Sequence, residues 1–228
     1  MIKRRVSRKG KHMNNLTKRH TKGIIRTEVL LVLGVAYLIL VASTFLFAID
    51  LASNKPMQCV LHITVILSVI AYLLFTDTIY SAEGDQDNGR PALIFAAIFT
   101  VPILIGRGIG IAAIAFDQLY AADSLFNFYA AISISRTIEL VAWTTFFPLS
   151  MVFLAKIFFR QGNKARVLAW LCLLSAICCF IAFMTIASPR LIYLFIGVTG
   201  WGILFVAVIA GYLMLQLRRS NEKQQSKL

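Results

Sequence analysis

Three charged side chains stand inside long apolar runs of this 228-residue chain: Arg107, Arg136 and Glu139, with His62 as a milder companion. A charge at mid-membrane costs about 2.5–3.5 kcal/mol on insertion scales, so such residues mark either a polar site or an ion pair that fixes helix packing. Arg136 and Glu139 are three apart and share one helix face, with Trp143 four further along it. An arginine, a carboxylate and an indole in one stripe can line a pocket. They can also be structural only, with Glu139 neutralising Arg136 within the helix or Arg107 across from it, and the other arginine reaching the outer headgroups. Two cations against one carboxylate favour an anionic partner, either a solute or a lipid headgroup.

The segment Gly106-Arg107-Gly108-Ile109-Gly110 surrounds the first arginine with residues that lack side chains. Gly106 and Gly110 form a GxxxG pair suited to close helix approach. Pro102, four residues earlier, removes the hydrogen bond to Ile98 and predicts a kink. A kink followed by glycines reads as tight packing or as a locally unwound span. No strand precedes the glycines and no GK[ST] follows, so they do not form a nucleotide-binding loop. Pro148 predicts a second kink, with Thr144 and Thr145 placed to satisfy freed carbonyls. Ala207 and Gly211 give another small face, and homo-oligomer formation through the glycine faces is an expectation of this pattern.

Signatures of catalysis are mostly absent. The sequence has no HExxH, no GxSxG, no paired membrane histidines and no mid-span lysine, and no cofactor or metal is implied. Cys59, Cys172, Cys178 and Cys179 have no metal-ligand spacing, and those in apolar runs read as small hydrophobes. Asp77, Tyr80, Glu83, Asp85 and Asp87 could hold a divalent cation weakly, but read more simply as a solvated acidic loop.

Composition sets the frame that must position these residues. The chain is 59% hydrophobic and 14% charged, with a mean hydropathy of +0.78. A soluble domain of this size cannot bury so much apolar material. Six runs reach the roughly 20 residues that a bilayer needs: 27–49, 57–80, 91–116, 132–158, 166–187 and 190–215. The fold class is therefore an all-α, polytopic membrane bundle of six transmembrane helices. Residues 1–26 form a basic tail, 27–216 the membrane domain, and 217–228 a second polar tail. The break at Ser188-Pro189-Arg190 implies a tight hairpin, since without it one apolar run would extend for about 50 residues. The N-terminus does not resemble a cleavable signal, because its basic region is too long.

Net charge is +13, and ten of the 23 Lys and Arg precede Thr27. Such a tail suits anionic lipid rather than nucleic acid. With the N-terminus inside, 19 Lys and Arg fall on inner segments and two, Lys55 and Arg190, on outer ones. The expectation is a multi-pass cell-membrane protein with both termini cytoplasmic. Arg107 then lies about 25 Å along the third span, in its outer third. Arg136 and Glu139 start the fourth span and His62 starts the second, all at a similar outer depth. The stretch Leu119 to Ala131 is a candidate interfacial helix, given Tyr120, Phe126, Phe128 and Tyr129. Spans three and six are both glycine-rich, but topology does not place their glycines at the opposed depths an inverted repeat requires.

Three functions follow as expectations. The first is a non-enzymatic transporter, transport subunit or sensor whose outward polar layer of His62, Arg107, Arg136, Glu139 and Trp143 binds or passes a small polar or anionic ligand. The second is a structural or interaction protein in which the charges only fix packing. The third is an intramembrane enzyme acting on a lipid, with His62 and Glu139 as acid and base.

Overall fold

The computed structural model describes residues 2–47, 54–116, 133–188 and 191–225. The interfacial stretch expected at 119–131 lies outside them. All elements among the described residues are helices, and six are long and apolar enough to cross a membrane, as a multi-pass membrane protein requires. These are α1 (Ile2–Leu46), α2 (Lys55–Glu83), α3 (Gln86–Ala115), α4 (Ile134–Arg160), α5 (Arg166–Ala182) and α6, built from Leu191–Val198, Thr199–Leu204 and Phe205–Gln225. α1 carries the basic tail in the same helix as its apolar part, Thr21–Thr44.

Local chemistry sets the turns. Asn54 caps α2 by accepting a hydrogen bond from the Met57 N–H, and Pro56 sits in the first turn where its missing donor costs nothing. The break expected over Ser81 to Arg90 shrinks to two residues. Gly84 closes α2 in the left-handed conformation (φ 66°), and Asp85 opens α3 by accepting from the Asn88 N–H. Gly162, at φ 83°, turns the chain between α4 and α5.

Each helix packs on its neighbour in sequence, and α6 packs back on α1, so the six close into a ring. Aromatic side chains fill the axis. The Tyr72 ring meets Phe99, Phe147 and Phe205 at 5.7, 5.3 and 5.2 Å. Its hydroxyl donates to Ser150 Oγ (2.6 Å), which donates to the Ala92 carbonyl (2.9 Å), tying α2, α4 and α3 together. Outside the ring, Val32, Ile39, Ile63, Val101, Ile105 and Ile203 are exposed. An apolar exterior around a hydrogen-bonded interior suits a lipid solvent.

One end of the ring holds the Gly84 and Gly162 turns; we call it the tail end and the opposite one the cavity end. The acidic segment at the tail end is more than a solvated loop. Arg26 pairs with Asp77 (2.8 Å), Arg219 with Glu83 (2.6 Å) and Arg160 with Asp85 (2.9 Å), so a basic residue of α1 meets the last turns of α2, and those of α6 and α4 meet the α2–α3 turn. Among the described residues no cluster of ligands fits a metal ion.

α3 stays helical through Pro102 and the glycine segment, so the unwound span is not found. The glycines serve packing instead. A Cβ on Gly106 would lie 3.0 Å from the Ser135 carbonyl oxygen of α4, and one on Gly110 would lie 2.6 Å from the His62 ring of α2. Gly211 likewise faces Leu168 of α5, so these faces are occupied within the chain; Gly108 has open space beside it. Gly106→Ala is expected to lower the melting temperature in detergent, because a backbone carbonyl cannot swing away. Gly108→Ala should leave it unchanged or raise it, since a helical glycine loses about 0.5–1 kcal/mol against alanine.

The turn makes a second prediction. Burial acts to raise the Asp85 pKa, but hydrogen bonds from Asn88 and the Arg160 guanidinium outweigh it and hold the carboxyl below its ordinary 3.8. A depressed folded-state pKa stabilises the fold above the ordinary value, and that contribution is lost as pH falls through the lower one. Asp85→Asn should therefore lower the melting temperature at neutral pH, and the gap to wild type should close in strong acid.

Candidate functional site

Close approach of α3 to its two neighbours decides where Arg107 goes. Gly106 lets α3 touch the start of α4, and Gly110 makes room for His62 of α2. The side chain between them is buried, with 7% of its surface exposed. Its Nη2 donates to Glu139 Oε1 of α4, and its Nη1 lies 3.1 Å from His62 Nδ1. A guanidinium has no acceptor, so Nδ1 takes the hydrogen bond and the imidazole hydrogen sits on Nε2. Arg107 thus stands between the imidazole and the carboxylate, the two groups that acid–base chemistry would need close together.

Glu139 is as deeply placed, its side chain 8% exposed. Its Oε1 also accepts from the Trp143 indole N–H at 3.1 Å. Its Oε2 is buried and finds no hydrogen-bond partner among the described residues. A buried acceptor without a donor costs about 1–3 kcal/mol, so this atom is a place for water or a ligand donor. Of the two pairings open to Glu139, the one within α4 does not form: Glu139 pairs across to Arg107, and Arg136 stays exposed with no ion-pair partner among the described residues.

Two departures from α-helical geometry set the aromatic groups. Pro148 has no N–H to offer the Thr144 carbonyl. The chain answers with a π segment, Ala142–Phe146, in which the Phe147 N–H reaches back to Ala142. That segment carries Trp143. A second π segment, Thr199–Leu204 in α6, carries Trp201 between Gly200 and Gly202. π segments inside α-helices often mark functional positions. The two indoles meet at 4.7 Å, Tyr37 of α1 lies 4.6 Å from Trp201, and Phe99 lies 4.6 Å from Trp143.

Above this aromatic floor, at the cavity end, is a cavity of about 220 Å³ walled by all six helices. Arg107, Arg136 and Glu139 supply its charged wall, and Tyr37, Trp143 and Trp201 its base. Below the same three aromatics lies a narrow apolar void of about 30 Å³ that reaches Tyr72 and Phe147. The wider groove at the tail end, about 460 Å³, runs between the ion-paired Glu83, Asp85 and Arg160.

The structure therefore joins His62, Arg107, Glu139 and Trp143 in one network and sets Arg136 on the same cavity wall. Pro102 and Gly108 stand apart from it, while Gly106, Gly110 and Pro148 act on it through the backbone. Sequence reasoning missed Tyr37, Trp201 and the cavity face of Cys179. A tryptophan between two glycines was the one available signal for Trp201.

Removing one partner of a buried ion pair strands the other. Arg107→Ala is expected to cost about 3–5 kcal/mol, seen as a large fall in melting temperature. Pairing Arg107→Met with Glu139→Leu should recover most of it. Arg136→Ala should leave the melting temperature unchanged. Comparison with protein-family models, with curated proteins and with solved structures finds no match for this chain.

Proposed function

We propose that the chain is a non-enzymatic, six-span protein of the cell membrane, with both termini cytoplasmic, whose cavity opens on the opposite face and binds or passes a small polar or anionic ligand. The observation that carries this reading is the charge of the cavity wall. Arg107 is matched by Glu139, and Arg136 adds a second guanidinium that has no ion-pair partner among the described residues. A guanidinium without an ion-pair partner on a cavity wall presents its hydrogen-bond donors to an anion. The unsatisfied Glu139 Oε2 would take a hydrogen bond from a donor group on a polar ligand. Orientation rests on the 19-to-two distribution of Lys and Arg, with the Gly84 and Gly162 turns on the cytoplasmic side.

A structural role has its own support, since the Arg107–Glu139 pair would fix the α3–α4 register without any ligand. Arg136 separates the two. With protein in nanodiscs of neutral lipid and isotope-labelled acetate as probe, Arg136→Ala is expected to weaken binding at least about tenfold, as loss of a charged hydrogen bond does. Its melting temperature should match wild type. Acetate binding that is absent, or indifferent to Arg136, leaves only the structural role. For orientation, in a background without native cysteines, an impermeant maleimide added to intact cells should label Arg136→Cys and spare Gly162→Cys. The reverse pattern inverts the topology.

A further inference from the structure

Arg107 comes to the cavity with its charge already cancelled by Glu139, so Arg136 alone sets the charge of an incoming ligand. One guanidinium suits one negative charge. A second would find no further free guanidinium on the wall, since Arg107 is taken by Glu139. A guanidinium is planar and forks onto a carboxylate through two parallel hydrogen bonds.

The rest of the cavity is not built for a bare ion. Its base is the aromatic set of Tyr37, Trp143 and Trp201, and Val41, Leu140 and Val198 add apolar wall. The indoles are held in place: Trp143 by its hydrogen bond to Glu139, Trp201 by contact with Trp143 and Tyr37. Such rigid faces reward a ligand with a flat apolar body. The cavity is walled by all six helices, so it sits within the ring and not on its lipid-facing perimeter. A two-chain lipid would have to pass its acyl chains between packed helices.

We propose that the cavity is a site for a small monocarboxylate with a flat apolar body, the acid group on Arg136 and the body against Trp143 and Trp201. This rests on the anion-binding reading above and narrows it to one chemical class.

The test uses the full chain in nanodiscs of neutral lipid, with benzoate, acetate, phthalate and benzyl alcohol as probes. Benzoate should bind at least about tenfold more tightly than acetate, from burial of its ring, and should quench tryptophan emission. Phthalate, with a second charge, and benzyl alcohol, with none, should each bind at least about tenfold more weakly than benzoate. Trp201→Ala should bring benzoate down to the acetate level while acetate binding is unchanged; Trp201→Phe, which keeps a ring and guards against misfolding, should retain most of the preference. Arg136→Ala should weaken benzoate and acetate alike.

Acetate binding as tightly as benzoate, or phthalate more tightly, overturns the class and leaves the anion site standing. Loss of benzoate binding when phosphatidylglycerol is added to the nanodisc assigns the site to a lipid headgroup and overturns it as well. Failure of every anion to bind overturns the cavity reading itself.

Discussion

A charge buried in an apolar bundle has to be matched, and in this chain the match between Arg107 and Glu139 governs the structure around it. The pair spans two helices, so it fixes their register as well as their distance. The guanidinium also engages His62, which brings in a third helix, and the carboxylate orients Trp143. Gly106 and Gly110 allow the backbones to come close enough for this. Take away the pair, and the glycines, the histidine and the indole lose their common purpose. Hydrophobic burial cannot supply this specificity in lipid, where one apolar surface is as good as another.

The two ends of the bundle handle charge differently. Near the cavity the pair is buried and shielded from salt. At the tail end the ion pairs are partly or largely exposed: Arg26 and Asp77 retain 35% and 40% of their side-chain surface, and Lys164 and Glu222 retain 79% and 64%. Exposed pairs of this kind contribute little individually and weaken with ionic strength. Their effect lies in number and placement: Arg26 ties α1 to α2, Arg160 and Arg219 tie α4 and α6 to the α2–α3 turn, and Lys164 ties the α4–α5 turn to α6.

Hydropathy was enough to read the six helices, because a bilayer-length apolar run leaves few alternatives. Depth, once the runs were ordered, placed His62, Arg107 and Glu139 in one layer. Which arginine would meet Glu139 was not legible. Arg136 is the nearer in sequence, and only the packing of α3 against α4 brings Arg107 closer in space. The same holds for Tyr72, Tyr37 and Trp201, which look like any aromatic in an apolar run until the ring closes around them. The length of the α2–α3 turn was misjudged for a local reason. Polar residues from Ser81 to Arg90 resemble a loop, yet Gly84 and Asp85 suffice to end one helix and start the next. Pro148 was recognised as a disturbance, though its form, a π segment, depends on carbonyl geometry that composition does not reveal.

Ring closure has a consequence for the order of assembly. α1 is made before the other five helices, but one of its two flanks has no neighbour until α6 arrives. Leu38 waits for Gly202, and Tyr37 waits for Trp201. Up to that point five helices form an open arc whose polar groups face an unfinished wall. The Arg107–Glu139 pair, built from α3 and α4 alone, is available midway and can hold the arc in shape while synthesis proceeds. Its cavity, by contrast, comes into being only when α6 packs, so closure of the ring and completion of the site are a single event.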